Sequence, residues 1–339
     1  MLPLMFEKGS SRVGKKFFSG VIQSGGAKVL TVGLGVTLAV MLGIAATIPS
    51  TSGTASAQST VIDPVSHVQV AKKYDAVQNP NVLFHGVGAR LTIHKPSVGN
   101  PNLTPDLSVA EIVIGNPQPI PGKQPAAAVE LGWIVAPREY QDNEPHLFIF
   151  VRKAGKGCLV SGNNVGDGAC GFTPVSNPKN IQPNEDLTTL TPRVVNYGTS
   201  NNYGPQAFHI GYFKGNNAWW IGFQNHWIGH ISANWFKKGL SGPAFTKATR
   251  ALWYGEVGST RNELPCVDMG NGKFGTKAGS ARFTGMFYEK MSGNQSKLYY
   301  TKNARPSLAG GDPPRAWKFW NGKESSGRSF RYGGPGKCP

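Results

Sequence analysis

Glycine and proline fall so often along this chain that few helices could survive between them: 44 Gly and 25 Pro stand among 339 residues. Proline fixes φ and removes a donor, and glycine loses the most backbone freedom on ordering, so both interrupt helices. What remains between the breaks is a series of short runs rich in aromatic and β-branched residues, bounded by Gly, Asn and Pro clusters. Such runs read as strands. Their succession without alternating helical patterns argues for an all-β protein, an antiparallel β-sandwich of two packed sheets with long loops and at most one or two short helices. The strands expected are 87–94, 109–114, 126–135, 147–152, a meander over 208–235 that turns at Lys214-Gly215-Asn216-Asn217, then 251–257, 283–289 and 297–301. Residues 236–251 read as the one substantial helix. The irregular stretch from Gly157 to Pro205 is long enough to cover a cleft or frame a site.

The formal net charge of +17 raises nucleic acid as a partner. The charges are scattered singly, however, with no basic arm and no aromatic RNA-binding signature, so a solvated surface is expected instead and no nucleic acid. Part of the charge belongs to the N-terminus. Lys8, Arg12, Lys15, Lys16 and Lys28 precede the apolar stretch 29–48, and Ala55-Ser56-Ala57 follows it. A positive segment, an apolar segment and an Ala-x-Ala site make an export signal. At about 20 residues the apolar stretch could also remain as an uncleaved anchor, but the Ser/Thr/Ala linker favours cleavage after Ala57. The organisation expected is a signal over 1–57, a short leader or linker over 58–81 and one folded domain over 82–339. That domain is secreted, meets a membrane only during export and acts as a monomer.

The four cysteines, Cys158, Cys170, Cys266 and Cys338, all lie beyond the signal. An even count in an exported chain reads as a disulfide framework with three possible pairings. Cys158 with Cys170 is favoured because only a Gly/Asn-rich loop separates them, which leaves Cys266 for Cys338. Neither a metal nor a cofactor is expected: there is no Cys-x-x-Cys, and His226 and His230, four apart, fall in a strand pattern with Trp227 after the first.

Two acids stand out. Glu130 interrupts the apolar run Ala-Ala-Ala-Val-Glu-Leu-Gly-Trp-Ile-Val over 126–135, and Glu256 interrupts Ala-Leu-Trp-Tyr-Gly-Glu-Val over 251–257. Strand alternation puts Glu130 on a face with Ala126, Ala128 and Ile134, and Glu256 on one with Leu252 and Tyr254. Neither has a basic neighbour in sequence. An ionised carboxylate on an apolar face is costly unless paired, so two of them point to a shared site.

Several blocks carry a family resemblance. VELGWIVAPREYQDNEPHLFIF followed by GCLVSGNNVGDGACGF, then GPQAFHIGYFKGNNAWWIGF, IGHISANWF, ALWYGEV and RYGGPG, resemble the blocks of the neprosin family in the same order, from about Phe84 to the end. The resemblance implies a secreted glutamic peptidase on a two-sheet antiparallel sandwich, cutting proteins after proline at acidic pH, with its two catalytic glutamates falling on Glu130 and Glu256. Plant-type members carry a sizeable prodomain, whereas only residues 58–81 precede the matched domain here, so the likeness is to an exported microbial-type member lacking that prodomain.

The chemistry agrees with the pattern. One carboxylate takes a proton from water while the other, kept protonated by burial and by its like-charged neighbour, donates one to the leaving amine. A close pair would titrate as a unit and confine activity to acid, with Glu256 taken as the base. Trp133, Trp219, Trp220 and Tyr254 are candidates for an aromatic wall stacking on a substrate proline, and Gln206 for a donor to the developing oxyanion. Core filling is the alternative for the tryptophans. Two rival classes use the same features. A non-catalytic β-sandwich would bind cell-wall glycans through exposed tryptophans, and a glycoside hydrolase would use the two acids on a glycosidic bond. No Gly-x-Ser-x-Gly or His-Glu-x-x-His favours serine or zinc hydrolysis.

Overall fold

Period-two alternation sorts the side chains of each run onto two faces, and covering an apolar face requires a second layer. A computed structural model of the chain describes residues 71–78, 83–98, 107–116, 126–154, 156–160, 170–189, 202–238, 243–258, 267–292, 295–301, 305–309 and 328–336. These residues build two antiparallel sheets. The seven-stranded sheet runs β14 (Arg305–Ala309), β1 (Ala71–Gln78), β11 (Arg250–Gly258), β3 (Leu107–Asn116), β4 (Ala127–Val135), β5 (His146–Lys153), β6 (Lys156–Leu159). The eight-stranded sheet runs β13 (Gln295–Tyr300), β12 (Ala281–Ser292), β2 (Gly86–His94), β8 (Asn202–Phe213), β9 (Ala218–Phe223), β10 (His226–Ser232), β7 (Phe172–Pro174), with β15 (Phe330–Tyr332) also pairing with β12.

The all-β sandwich expected from the Gly/Pro punctuation is the observed architecture. The meander turns where the sequence places it, with Asn217 in the left-handed region at φ 49°. The export signal lies outside the described residues, as do Cys266 and Cys338. The pairing expected for the other two cysteines is present: Cys158 and Cys170 are bonded with Cα atoms 5.5 Å apart. Cys158 belongs to β6 at the edge of one sheet, and Cys170 immediately precedes β7 at the edge of the other, so this bond ties the two layers together. Strand β1 falls within the stretch read as a leader, yet it is hydrogen-bonded between β11 and β14.

The described residues of 236–251 do not form the expected helix. A 3-10 turn, Trp235–Lys237, is followed by irregular chain over 243–249. Gly239, Gly242 and Pro243 break the helical run, and Phe236 and Phe245 gain more by packing edge to face, 4.9 Å between centroids, under Trp219. The α-helix described is one turn, Pro137–Tyr140, entered through a proline and left through Gln141 at φ 62°.

The core lies between the sheets. Ile112, Leu131, Ile149 and Trp253 from the seven-stranded sheet meet Leu91, Phe208 and Ile221 from the other. Two indoles bolt the layers together: Trp133 donates to the Thr92 carbonyl at 2.9 Å and Trp253 to the Gly88 carbonyl at 3.1 Å. Both acceptors are in β2, so a buried N–H on each of β4 and β11 finds its partner in the opposite sheet. Tyr332 of β15 packs one edge of its ring against Gly255, where a Cβ would collide with it. This contact gives physical reasons for the glycine of the Tyr-Gly-Glu block and the tyrosine of the C-terminal Arg-Tyr-Gly-Gly block. Gly255→Ala should therefore cost about 1–3 kcal/mol through overpacking, read as a lower urea midpoint with an unchanged slope.

On the outer face of the eight-stranded sheet, the Glu289 carboxylate lies over Gly86 and accepts from His209 at 2.9 Å and Ser296 at 2.8 Å. Burial alone would raise the Glu289 pKa, but the hydrogen bond and charge of His209 and the Ser296 hydroxyl outweigh it and hold the group below the ordinary carboxylate range. A depressed folded pKa gives stability that is present above the unfolded value and lost as pH falls through the folded one. Glu289→Gln should thus be less stable than wild type by about 1 kcal/mol near pH 6. In urea titrations at a series of pH values, the gap should close below about pH 4.

Candidate active site

Which face a strand acid occupies follows from its neighbours. In β4, Val129, Leu131 and Trp133 point into the inter-sheet core, which sends Glu130 and Gly132 outward. In β11, Trp253 and Val257 point inward and send Tyr254 and Glu256 outward. Both acids therefore lie on the outer face of the seven-stranded sheet, among side chains that bury them to 4% and 3% exposure. Their positions are fixed by the register of β11, β3, β4 and β5. One row across the sheet reads Glu256, Val109, Ile134, His146; the next reads Tyr254, Glu111, Gly132, Phe148; the third reads Leu252, Val113, Glu130, Phe150. Two strands across and four residues along β3 separate the Glu130 and Glu256 Cα atoms, about 16 Å on a flat sheet.

That separation corrects the expectation of two carboxylates sharing one proton directly. The middle row stands between them. Glu111, 2% exposed, is a third buried acid, and it sits directly opposite Tyr254, to which it is hydrogen-bonded. Burial first, and then the charges of Glu111, Glu130 and Glu256, push the Tyr254 phenol well above its ordinary value, so it stays neutral and protonated. The same tyrosine feels all three acids, which places it at the centre of the cluster.

Glu130 has its counter-charge. Arg152 Nε donates to Glu130 Oε1 at 2.6 Å. In sequence the two are far apart, but Arg152 is in register with Ala128, so it reaches Glu130 along the diagonal of the β4–β5 ladder. Its guanidinium carbon stands 4.9 Å from the Phe150 ring centroid, which holds the side chain over the sheet. Gly132 shows why the Glu-x-Gly-Trp spacing matters locally. A Cβ there would collide with the Ala110 carbonyl oxygen, so β3 and β4 can close up beside Glu111 only at a glycine.

At the far end of the first row, His146 is held at both ring nitrogens, by Asp142 at 2.9 Å and by the Asn184 carbonyl at 3.0 Å, with Tyr140 stacked on it at 4.0 Å. The loop containing Asn184 also adds backbone bonds to Leu147, so part of the long irregular stretch braces this end of β5.

Of the residues predicted to bind substrate, only Tyr254 joins the glutamates. Trp133 and Trp219 are fully buried in the inter-sheet core, their indole donors satisfied by the Thr92 and Phe245 carbonyls. Gln206 is on β8 with the parity of Phe208 and Ile210, and so is turned towards the core from the other sheet. Trp220 is on the outer face of the eight-stranded sheet, stacked on His230 at 4.8 Å, with the whole sandwich between it and the acids. Alternation shows that two side chains share a face but not which face meets the core, and Trp133 and Trp219 went to the core. Glu111 and Arg152 were missed. The signal for Glu111 was available, since an acid inside Leu-Ser-Val-Ala-Glu-Ile-Val-Ile is the same anomaly as Glu130 and Glu256.

A family model described as Neprosin matches residues 104–335. The chain belongs to the Neprosin family. No curated protein matches it. Among solved structures, this member is similar to apo Crh5 transglycosylase and to Crh5 transglycosylase in complex with NAG. Each is 12% identical over 55% of this chain and 56% of the other, with a TM-score of 0.23. The chain thus matches little more than half the length of those structures, and a likeness of that degree carries no argument about the site.

The ion pair on Glu130 can be tested apart from catalysis. Arg152→Met should lower stability by about 2 kcal/mol at neutral pH, because it strands a buried carboxylate. The cost is below that of a fully buried pair because the Arg152 side chain is 25% exposed. Urea unfolding of the two proteins side by side measures it.

Proposed function

We propose that this Neprosin member is an exported glutamic endopeptidase that hydrolyses proteins on the C-terminal side of proline at acidic pH, through Glu130 and Glu256. The observation that carries the reading is the clustering of these two family-matched acids, with Glu111 and Tyr254, on one buried sheet face. Strands hold such groups more rigidly than loops do. Arg152 sets a positive charge beside Glu130, so this reading gives the base role to Glu130 and the acid role to Glu256, the reverse of the order expected from sequence. Water oxygen attacks the scissile carbonyl carbon and gives its proton to Glu130. The peptide C–N bond then breaks as the amine nitrogen takes a proton from Glu256, and exchange with solvent resets both groups. The distance between the rows leaves room for a peptide and a water between acid and base. Proline-rich, unfolded chains are the substrates this reading implies, met outside the cytoplasm.

Activity should follow a bell in acid: Glu256 must hold a proton and Glu130 must not. The test incubates the purified protein with a denatured proline-rich protein from about pH 2 to pH 8, with fragments sequenced by mass spectrometry. Glu130→Gln and Glu256→Gln should each lower kcat/KM by at least about 100-fold while the proteins stay folded. A folded wild type that cuts nothing across this range would end the peptidase reading.

A further inference from the structure

Two polar residues between the glutamates have no task in the mechanism so far. Glu111 and Tyr254 face one another across β3 and β11, share a hydrogen bond and are almost wholly buried. An apolar pair at these positions would spare the sheet the cost of desolvating an acid and a phenol. We propose that Tyr254 is the donor that stabilises the oxyanion of peptide hydrolysis and that Glu111 is the positioning residue that aims its phenol. The proposal rests on the glutamic-peptidase reading and adds two roles to it.

An oxyanion donor has to be neutral, fixed before the reaction and placed where negative charge develops. Tyr254 is kept protonated by burial and by the three surrounding acids, so it donates without itself losing a proton. Its place is between the two reacting groups. The row containing Glu130 lies on one side of the Tyr254 row and the row containing Glu256 on the other. A carbonyl held over the middle row therefore has the base on one side and the acid on the other, which is where the tetrahedral oxygen forms. Gly132 continues that row, and the close approach of the Ala110 carbonyl that it permits fixes β3, and with it Glu111, against β4.

The step balances without a further proton. As the bond from water oxygen to the carbonyl carbon forms, the carbonyl π pair moves onto oxygen, and that oxygen accepts a hydrogen bond from the phenol. The pair returns to re-form the carbonyl when the C–N bond breaks. The phenol keeps its hydrogen throughout, turning it from Glu111 to the oxyanion. Glu111 contributes by holding the ring and the phenol oxygen in place before substrate arrives, so that only the hydrogen has to turn. Gln206, the donor expected from sequence, is on the other sheet and leaves this role open.

The test uses steady-state kinetics of the full chain on a proline-containing peptide. Tyr254→Phe should lower kcat by about 100- to 1,000-fold with KM changed by less than about threefold, as loss of a donor used only in the transition state requires. Glu111→Leu should lower kcat similarly, whereas Glu111→Gln, whose amide oxygen still accepts from the phenol, should restore kcat to within about tenfold of wild type. Tyr254→Phe combined with Glu111→Leu should lose no more than the worse single variant, since the two act as one unit. The proposal is overturned if Tyr254→Phe keeps wild-type kcat, if the two losses multiply, or if Glu111→Gln is as slow as Glu111→Leu. Should Glu111→Leu fail to fold, Tyr254→Phe and Glu111→Gln decide between these outcomes. A wild type without activity sinks the peptidase reading itself, and this proposal with it. Wild-type cleavage abolished by Glu130→Gln but untouched by Tyr254→Phe sinks this proposal alone.

Discussion

Register along β4 and β11 is the constraint on which the rest of the molecule depends. A side-chain period of two means that slipping either strand by one residue would exchange its faces, driving Glu130 or Glu256 into the core and Trp133 or Trp253 out of it. The two indole–carbonyl bonds to β2 resist that slip. Each satisfies a buried donor in only one register, because its acceptor, the carbonyl of Thr92 or Gly88, is fixed on the opposite sheet. The tryptophans thereby place the acids without touching them. Glu130 and Trp133 are three positions apart, as are Trp253 and Glu256, an odd spacing that puts acid and anchor on opposite faces of one strand.

With the faces fixed, the outer side of the seven-stranded sheet can carry charge that a core could not. Three acids in a patch of buried surface would repel one another and lose hydration, so the cluster depends on its internal partners. Arg152 supplies a cation to one acid across a ladder diagonal, and the Tyr254 phenol supplies a donor to another. These partners come from β5 and β11, on either side of the strands bearing Glu130 and Glu111. The site is thus assembled across four strands, and no single segment could form it alone. Its geometry is inherited from backbone hydrogen bonds, which is how acids distant in sequence can be held in a constant arrangement.

Much of this was legible in the chain, and what was not has a physical reason. Glycine and proline frequency forced short elements, and alternation located most of the described strands, though not β1, β6, β7, β14 or β15, and set the common face of Glu256 and Tyr254. An acid in an apolar strand is costly, and that cost singled out Glu130 and Glu256 before any geometry was known. The same argument applies to Glu111, an acid inside the apolar run 107–114. Arg152 could not be found by looking for neighbours in sequence, because a ladder diagonal exists only once β4 and β5 are paired. The substrate tryptophans failed differently. A large amphipathic ring suits a cleft and a core equally well, and only the partner of its N–H distinguishes them. The helix expected over 236–251 is opposed by Gly239, Gly242 and Pro243, which interrupt any helical run in that segment.

The position of the titrating groups bears on how such a protein could work in acid. The bonds that join the sheets use indole N–H and backbone carbonyls, together with the Cys158–Cys170 disulfide. None of these changes charge between neutral and strongly acidic pH, so the attachment of one layer to the other does not weaken as carboxylates take protons. The buried acids named above are on the two outer faces: the glutamate cluster on one, Glu289 with its partner His209 on the other. Protonation of Glu289 loosens the pairing of side chains over β12, β8 and β13, at a distance from the layer interface. The bonds within the glutamate cluster, Arg152 to Glu130 and Tyr254 to Glu111, likewise stand on an outer face and not between the layers. Acid therefore removes a stabilising pair from the outside of the eight-stranded sheet while the indole and disulfide joints that hold the two layers together stay as they are.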